Sequence, residues 1–263
     1  MEIYLAGDNY KKQIMELFVA GLSNEENRKN MVNPLSKRIS ILESFCNMED
    51  WEIPYIQNHW NFLLDSGAFT FLNSKKQNKI NWDEYVEKYA EFINKYDIKL
   101  FFELDIDYLI GLKEVERLRE KLHKLTNKQS ISVWHKSRGK DYYIRMVQEF
   151  DYVAIGGLAI GGIHFQKQIE PVFPWFIKNA HKNNCKIHAL GYTSIEGIKK
   201  FGFDSIDSSS WMYGNIGGYL YKFNGEKIIQ IKKPIDKRIK PFEVAYHNFF
   251  EWVKFQQYAR VNL

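Results

Sequence analysis

Short apolar runs alternate with amphipathic stretches along most of this chain of 263 residues. Eight of the runs are rich in β-branched and aromatic residues, and most of them are nearly continuous. Such runs are typical of strands that are buried on both faces of a parallel sheet. The predicted strands are residues 3–7, 39–45, 62–67, 99–105, 131–135, 152–157, 186–191 and 204–208.

Amphipathic helices are predicted between these strands. The clearest covers Asn81 to Tyr96, where apolar residues recur at intervals of three and four, and where Asn81 with Glu84 resembles a capping box. Three further helices are predicted at residues 112–125, 173–183 and 193–201. The last of them has Thr193 or Ser194 as its N-cap and Gly202 in position for the left-handed residue after its end.

The repeated alternation of strand and helix predicts an irregular (β/α)8 barrel, with a doubly wound open sheet as the alternative. We expect one domain over residues 1–263, with the barrel core at about residues 1–212. Residues 23–33 form a polar stretch that predicts a loop. Residues 213–263 predict a β-hairpin at 217–233, with its turn at Asn224-Gly225, and then an aromatic-rich helix at 243–258 that packs on the barrel.

Composition narrows the class of protein. The chain is 45% hydrophobic and 16% aromatic, which is enough for a large core, and no apolar run approaches the roughly 20 residues that cross a bilayer. The N-terminal MEIYLAGDNY lacks the blocks of a signal peptide, so we expect a cytoplasmic location. Two cysteines without CxxC-type spacing predict neither a disulfide framework nor a metal site, and a net charge of +5 permits a nucleic-acid partner.

Polar residues concentrate where the predicted strands end, which is where barrels of this kind carry their active sites. Each group alone fits a turn, a cap, a core histidine or a solvated loop. Carboxylates that gather at one rim repel each other, so several together indicate a shared task. The groups are Asp65-Ser66-Gly67, then Glu103, Asp105 and Asp107, then His135, Lys136 and Arg138, then Gly156-Gly157, then His188 and Gly191, and last Asp207.

Three of these acids, Asp65, Asp105 and Asp207, suit glycosyl transfer, and we expect them to meet at one mouth of the sheet. One carboxylate can trap an oxocarbenium-like centre covalently while another group handles the proton of the leaving group. Glycine-rich strand ends expose backbone groups that can read a base. The aromatic residues Phe69, Tyr192 and Trp211 are candidates to stack on that base.

Six motifs, in this order along residues 60 to 212, resemble the tRNA-guanine transglycosylase superfamily. The closest resemblance is to its short phage-encoded members, which insert 7-deazaguanine derivatives into DNA. Any one motif is a weak signal, whereas six in order on the expected strand ends are a strong one. They are DSGAF (65–69), FELDID (102–107), VWHKSRG (133–139), AIGGLAIGG (154–162), HALGYT (188–193) and GFDSIDSSSW (202–211).

The resemblance implies a (β/α)8 barrel, no cofactor or metal, and exchange of guanine for a free 7-deazaguanine-type base. It implies that Asp207 is the nucleophile at C1′, that Asp65 transfers a proton, and that Asp105 recognises the base. His135 stands where the tRNA enzymes have a base-binding glutamine. The expected substrate-binding residues are Asp105, Ser66, Gly67, Phe69, Glu103, His135, Gly156, Gly157, Leu158, Gly191, Tyr192 and Trp211.

Two departures from the tRNA enzymes favour DNA as the polymer. The chain has no third cysteine, so the cysteine-rich zinc site of those enzymes is missing, and SSSWMYG follows Asp207 in place of their proline-threonine-arginine stretch. Both changes lie where a large folded RNA would be held. The implied setting is a bacterial host cell with a phage or prophage gene, and a homodimer is left open.

Phosphate contacts are expected from Lys136, Arg138 and Lys140, with the basic residues 232–240 as a possible continuation. Four alternatives to DNA base exchange remain from the sequence. They are exchange in tRNA, excision of the base when water resolves the intermediate, a non-catalytic nucleic-acid-binding subunit, and a glycosidase acting on sugar polymers. The last explains paired carboxylates on a barrel but leaves the order of the six motifs unexplained.

Overall fold

A computed structural model of the protein describes residues 1–7, 10–22, 39–58, 60–71, 80–158, 162–192, 194–217, 219–233 and 238–263. The predicted loop at residues 23–33 and the candidate N-cap Thr193 lie outside these residues. The strands are β1 (Glu2–Ala6), β2 (Ile39–Ser44), β3 (Trp60–Asp65), β4 (Ser132–Trp134), β5 (Tyr152–Ile155), β6 (Lys186–Ala189), β7 (Ser205–Ser208), β8 (Tyr219–Phe223) and β9 (Ile228–Lys232).

Eleven helices are described between and after these strands in the described ranges. None of them combines the length and the apolar content that are needed to cross a membrane. They are α1 (Lys11–Leu22), α2 (Ile53–Asn58), α3 (Trp82–Lys95), α4 (Asp107–Ile110), α5 (Leu112–Thr126), α6 (Gly139–Glu149), α7 (Gly162–Ile169), α8 (Phe173–Lys182), α9 (Ile195–Lys200), α10 (Ser210–Gly217) and α11 (Pro241–Asn262).

The fold is mixed α/β, with a seven-stranded parallel sheet in the order β3-β2-β1-β7-β6-β5-β4 and a separate antiparallel hairpin, β8-β9. Seven of the eight predicted strands are therefore present in the sheet. The Cα positions divide into two compact units. The first unit is Met1–Ile41, Trp51–Asn61 and Tyr192–Leu263, and the second unit is Leu42–Asp50 and Phe62–Gly191.

The fourth predicted strand, 99–105, is reduced to two isolated parallel bridges, Leu64 with Phe101 and Phe102 with Ile131. The pairing continues by one more backbone hydrogen bond, from the N–H of Glu103 to the carbonyl of Ile131. The ladder stops there because the N–H of Val133 donates to the Glu103 carboxylate, at 2.9 Å, and this side-chain oxygen stands in for a main-chain acceptor.

In the first unit, β1 and β7 pair in parallel, with Tyr4 opposite Asp207. The terminal helix α11 is longer than predicted, and its buried face includes Phe249, Trp252 and Phe255. Its buried Gln256 donates to the carbonyl of Ser40 and accepts from the N–H of the same residue. This pairing attaches the helix to the first residues of β2, within the first unit, while its packing on a closed barrel stays a prediction.

Helix ends follow the predicted capping with one exception. The side chain of Asn81 accepts from the N–H groups of Asp83 and Glu84, and the side chain of Ser194 accepts from Gly197 N–H. The prediction for Gly202 is wrong: α9 ends at Phe201 in an extended conformation, and Gly202 does not have a positive φ. The extended residue leads directly towards β7, so no left-handed turn is needed.

Candidate active site

The DSG motif forms a tight corner at the end of β3 in the second unit. The carboxylate of Asp65 accepts hydrogen bonds from the N–H of Gly67 (3.0 Å) and the hydroxyl of Ser44 (3.3 Å). Gly67 has a φ of +71°, and a Cβ there would lie 2.7 Å from both Ser44 Oγ and Cys46 Sγ. Glycine is therefore required by conformation and by space, and the corner fixes the position of Asp65.

Two tyrosines of α3 donate hydrogen bonds to backbone carbonyls at and beside this corner. Tyr85 donates to the carbonyl of Ser66, and the buried hydroxyl of Tyr89 donates to the carbonyls of Leu64 (3.3 Å) and Phe102 (3.1 Å). Burial raises the pKa of Tyr89 well above its ordinary value, and the carboxylates of Asp65 and Asp105 add to the increase. Sequence reasoning treated these residues as an apolar stripe. The signal it missed is that they are tyrosines, whose hydroxyls require partners when buried.

A buried ionic cluster lies at the end of the interrupted fourth strand. The Glu103 carboxylate is fully buried and accepts from Arg119 (2.9 Å) and Arg138 (3.0 Å), in addition to Val133 N–H. Arg138 also pairs with Asp107 through two nitrogens. Although burial opposes its charge, the carboxylates of Glu103 and Asp107 raise the pKa of Arg138 above its ordinary value.

This cluster changes the interpretation of two predicted residues. The side chain of Arg138 is only 1% exposed, and its guanidinium is engaged by two carboxylates, so the predicted phosphate contact does not fit its position. The Glu103 side chain is 0% exposed, which likewise does not fit a direct contact with substrate. Both residues instead hold the chain on either side of Asp105 and His135.

Asp105 and His135 form the core of the candidate base-binding site. Their Oδ2 and Nε2 atoms are 3.7 Å apart, which is longer than a hydrogen bond. The Nε2 atom of His135 is buried and makes no hydrogen bond with any residue that the structure describes. A carboxylate and an imidazole nitrogen that face each other with unsatisfied capacity can both bind one polar ligand that enters between them.

The glycine pair of the fourth motif, Gly156-Gly157, lies against this histidine. A Cβ on Gly156 would come within 2.6 Å of the His135 ring, and Gly157 has a φ of +81°. Any side chain at Gly156 would therefore displace the imidazole. The following Leu158 is buried, and its carbonyl accepts from Gln166 of α7 at 3.1 Å. Gln166 thus fixes this turn, although no sequence motif pointed to it.

The remaining predicted residues of the second unit differ in their exposure. Ser66 is buried, and its hydroxyl accepts from Ala68 N–H. Gly191 has a φ of +75°, and His188 is buried on β6 with its ring edge-on to Phe102. Phe69 lies in a short 3-10 helix, and its side chain is outside the described part of the structure, as are residues 159–161 of the fourth motif. Lys136 and Lys140 are exposed.

In the first unit, Asp207 lies on β7 and is 7% exposed. The two aromatic candidates for stacking are core residues of that unit. Tyr192 is 0% exposed between Phe201 and Phe203, and the indole N–H of Trp211 donates to the carbonyl of Ala6 at 2.8 Å. The prediction that Tyr192 and Trp211 stack on a base does not fit these positions, because neither face is accessible. The meeting of Asp207 with the other two acids stays a prediction.

Comparison with known proteins adds no assignment to this geometry. No family model matches the chain, and no curated protein matches its sequence. Among the described residues, no group of three or more histidine, cysteine or acidic side chains is arranged to hold a metal ion. The function must therefore be argued from the motifs and from the site itself.

Proposed function

We propose that the protein is a base-exchange glycosyltransferase that replaces guanine in a nucleic acid, DNA in preference to tRNA, with a 7-deazaguanine derivative. The observation that carries the proposal is the arrangement of Asp105 and His135 above the glycine pair. A carboxylate suits the ring N–H and amino donors of a guanine-type base. The His135 Nε2 atom, which is buried and without a hydrogen bond among the described residues, suits a further polar atom of that base.

The proposed reaction needs no redox step. A carboxylate oxygen of Asp207 attacks C1′ of the target nucleotide, and the bond from C1′ to the guanine nitrogen breaks. The electron pair leaves with guanine, which takes a proton by way of Asp65. The incoming base gives its ring proton to Asp65, its nitrogen attacks C1′, and the Asp207 carboxylate is released. The target base must leave the stack first, which costs a few kcal/mol.

We also propose that the sheet closes as an irregular (β/α)8 barrel. The two parallel bridges at Phe101 and Phe102 support this proposal, because they continue the pairing from β3 to β4 through the interrupted fourth strand. In such a barrel the DSG corner, Asp105, His135 and Gly157 follow successive strands at the active-site rim. A crystal structure with bound 7-deazaguanine tests this closure together with the expected position of Asp207.

The direct test measures exchange with labelled guanine, which must fit the pocket whatever the natural incoming base is. Guanine-containing DNA and tRNA are each incubated with the protein, and label in the polymer is measured by nucleoside mass spectrometry. We expect label in DNA, and a decrease of about 10³-fold or more with Asp207→Asn. Asp204→Asn, three residues earlier and directly before β7, is the matched control, and we expect this variant to keep its activity.

The outcomes separate the alternatives. Label in tRNA alone moves the substrate to RNA, and abasic sites without label indicate base excision. Absence of label and of abasic sites in both polymers contradicts the proposal, as does full activity of Asp207→Asn. A second pair of variants tests the base-binding site: His135→Gln keeps a polar side chain that can bind the base and retains most exchange, whereas His135→Ala loses about 10–100-fold.

A further inference from the structure

A cavity of about 280 Å³ opens beside the candidate base-binding site, within the second unit. Residues from the end of β4, from α6, from α7 and from α8 line it. Trp134, Phe165, Ile169 and Phe176 form the apolar walls, and Lys136 and Lys140 lie at the rim. Its volume is near the lower end of the range for small-molecule pockets, about 300–1,000 Å³, so it suits one flat ring system better than a larger ligand.

The walls of this cavity are held in place without a ligand. The indole N–H of Trp134 donates to the carbonyl of Gly139 at 2.8 Å, and its ring lies 4.6 Å from the ring of Phe176. Both side chains are buried, at 4% and 2% exposure. The apolar surface is therefore preformed, and a ligand that enters does not have to order it.

The two lysines give the cavity its charge. Neither Lys136 nor Lys140 pairs with a carboxylate among the residues that the structure describes, and the ammonium of Lys140 lies 5.4 Å from the ring of Trp175. Arg138, between them in sequence, is turned inwards to Glu103 and Asp107. Two lysines without a carboxylate partner in the described ranges, beside an apolar cavity, favour a ligand that has a flat ring and an anionic group. A nucleotide has both, in its base and its phosphate.

The cavity adjoins the candidate site through shared residues. Trp134 directly precedes His135, and the ring of Phe165 lies 3.9 Å from where a Cβ on Gly157 would be. Gly157 also faces the imidazole of His135, at 3.8 Å from the same Cβ position. A polynucleotide whose base lies against Gly157 therefore has its next nucleotide within reach of the cavity.

We propose that this cavity binds a second nucleotide of the same strand, with the neighbouring base against its apolar lining and its phosphate at Lys136 and Lys140. The inference rests on the proposed function, and it adds that the enzyme unstacks two adjacent bases. Stacking of the second base offsets part of the cost of extruding the first. It also provides a means to prefer one sequence context over another.

The test uses fluorescence anisotropy with end-labelled single-stranded oligodeoxynucleotides that carry one guanine. In a matched set, the nucleotide on either side of the guanine is abasic. We expect an abasic residue on one side to weaken binding by about 10-fold or more, and on the other side to have little effect. Val172→Trp, which fills the mouth of the cavity from an exposed position, removes this difference, whereas Leu125→Trp, exposed on α5, retains it.

A charge-matched pair covers the case in which Val172→Trp does not fold. Lys136→Gln with Lys140→Gln removes two charges at the cavity, and Lys113→Gln with Lys124→Gln removes two exposed charges on α5. We expect the first pair to lower the slope of log affinity against log salt concentration by about 1.4, at about 0.7 per phosphate contact, and the second pair to leave it unchanged.

The results distinguish this inference from the proposed function. In one outcome the protein exchanges no base while the cavity variants alone weaken oligonucleotide binding. That result overturns the proposed function and keeps the cavity as a nucleotide site. The cavity inference is overturned if base exchange is normal but both pairs of lysine variants change the salt dependence equally. It is also overturned if both tryptophan substitutions have the same effect on the difference between the abasic oligonucleotides. Binding of thymidine 5′-monophosphate that competes with no oligonucleotide also overturns it, because the occupant is then a free nucleotide.

Discussion

Buried polar side chains are of different kinds at the end of the fourth strand in the second unit and along α11 in the first. At the strand end they are charged: Glu103 is enclosed with Arg119 and Arg138. Along α11 most of the buried polar side chains are neutral: the amides Asn248 and Gln256 pair with backbone groups, such as Tyr221 N–H and the carbonyl of Ser40. The buried acid of this helix, Glu251, accepts from Phe223 N–H and pairs with Lys254, whose side chain is partly exposed, so no buried cation is involved. Amides fix a backbone at a lower desolvation cost than charges do.

This contrast indicates that the charged strand end does more than stabilise the fold. A corner that only had to hold its strands together could use amides, as α11 does. The charged corner instead fixes the chain on both sides of Asp105 and His135, the two residues that face each other without a hydrogen bond. We infer that Arg138 and Glu103 act as positioning residues for Asp105 and His135.

The strongest test of this comparison is Glu103→Gln. The substitution keeps the size of the side chain but leaves the buried guanidiniums of Arg119 and Arg138 without this carboxylate. We expect the free energy of unfolding to fall by about 3–5 kcal/mol, as measured by urea denaturation. Glu120→Gln, an exposed change on α5 with the same loss of charge, serves as the control. An unchanged urea midpoint for Glu103→Gln would mean that the cluster is not a buried charge network.

The corresponding test in the first unit is Asn248→Ala. This fully buried amide accepts from Tyr221 N–H at 2.8 Å and donates to the carbonyl of Trp211 at 3.1 Å. We expect a loss of about 2 kcal/mol in the free energy of unfolding, because neutral buried groups lose their partners. Gln257→Ala on the same helix is the control. A cost equal to that of Glu103→Gln would remove the distinction between the two regions.

The periodicity of the sequence accounts for most of the elements, and its limits have identifiable causes. Nearly continuous apolar runs predicted seven sheet strands, because strands that are buried on both faces carry few polar residues. The run at 99–105 looks the same, yet it forms two bridges only. The cause is a side-chain hydrogen bond, from Val133 N–H to Glu103, and a pattern of apolar residues does not reveal where one carboxylate points.

The same limit applies to the candidate site. Motif order predicted that Asp65, Asp105, His135 and Gly157 lie at strand ends, and the structure places all four in the second unit. Asp65 is the last residue of β3, His135 directly follows β4, Gly157 lies two residues after β5, and Asp105 follows the two bridges of the interrupted strand. Side-chain direction was not predictable. Arg138 turns inwards and Trp211 points into a core, because each finds a specific partner, a carboxylate or a carbonyl, that is distant in the sequence.

A smaller effect on stability, which depends on pH, is expected at His123. His123 of α5 accepts from Ser130 N–H at 2.9 Å, so its ring is neutral in the fold. Burial and the charge of Arg119 lower the pKa of His123. The unfolded chain therefore binds the proton more readily, and stability is complete above a pH of about 6.5 and falls as the pH decreases below that value.

Substitution of this histidine isolates the effect. We expect the melting temperature of the protein to fall between pH 7.5 and pH 5.5, and to fall less with His123→Gln, which does not titrate in that range. Thermal unfolding at both pH values measures the difference. His181→Gln, on α8, is the control. If the wild type and His123→Gln lose the same stability on acidification, the buried neutral imidazole is not the cause.

The smallest effect comes from charges of the same types at the surface of the second unit. Asp83 of α3 pairs with Arg117 at 2.7 Å and with Lys121 at 2.8 Å, but its side chain is 44% exposed. Hydrogen bonds from Arg117 and Lys121 lower the pKa of Asp83, while water screens the gain in stability. We expect Asp83→Asn to lower the melting temperature by at most about 2 °C, and not at all in 1 M NaCl. A loss as large as that of Glu103→Gln, or one that persists in salt, would show that the number of ion pairs, and not their burial, decides the difference between the two regions.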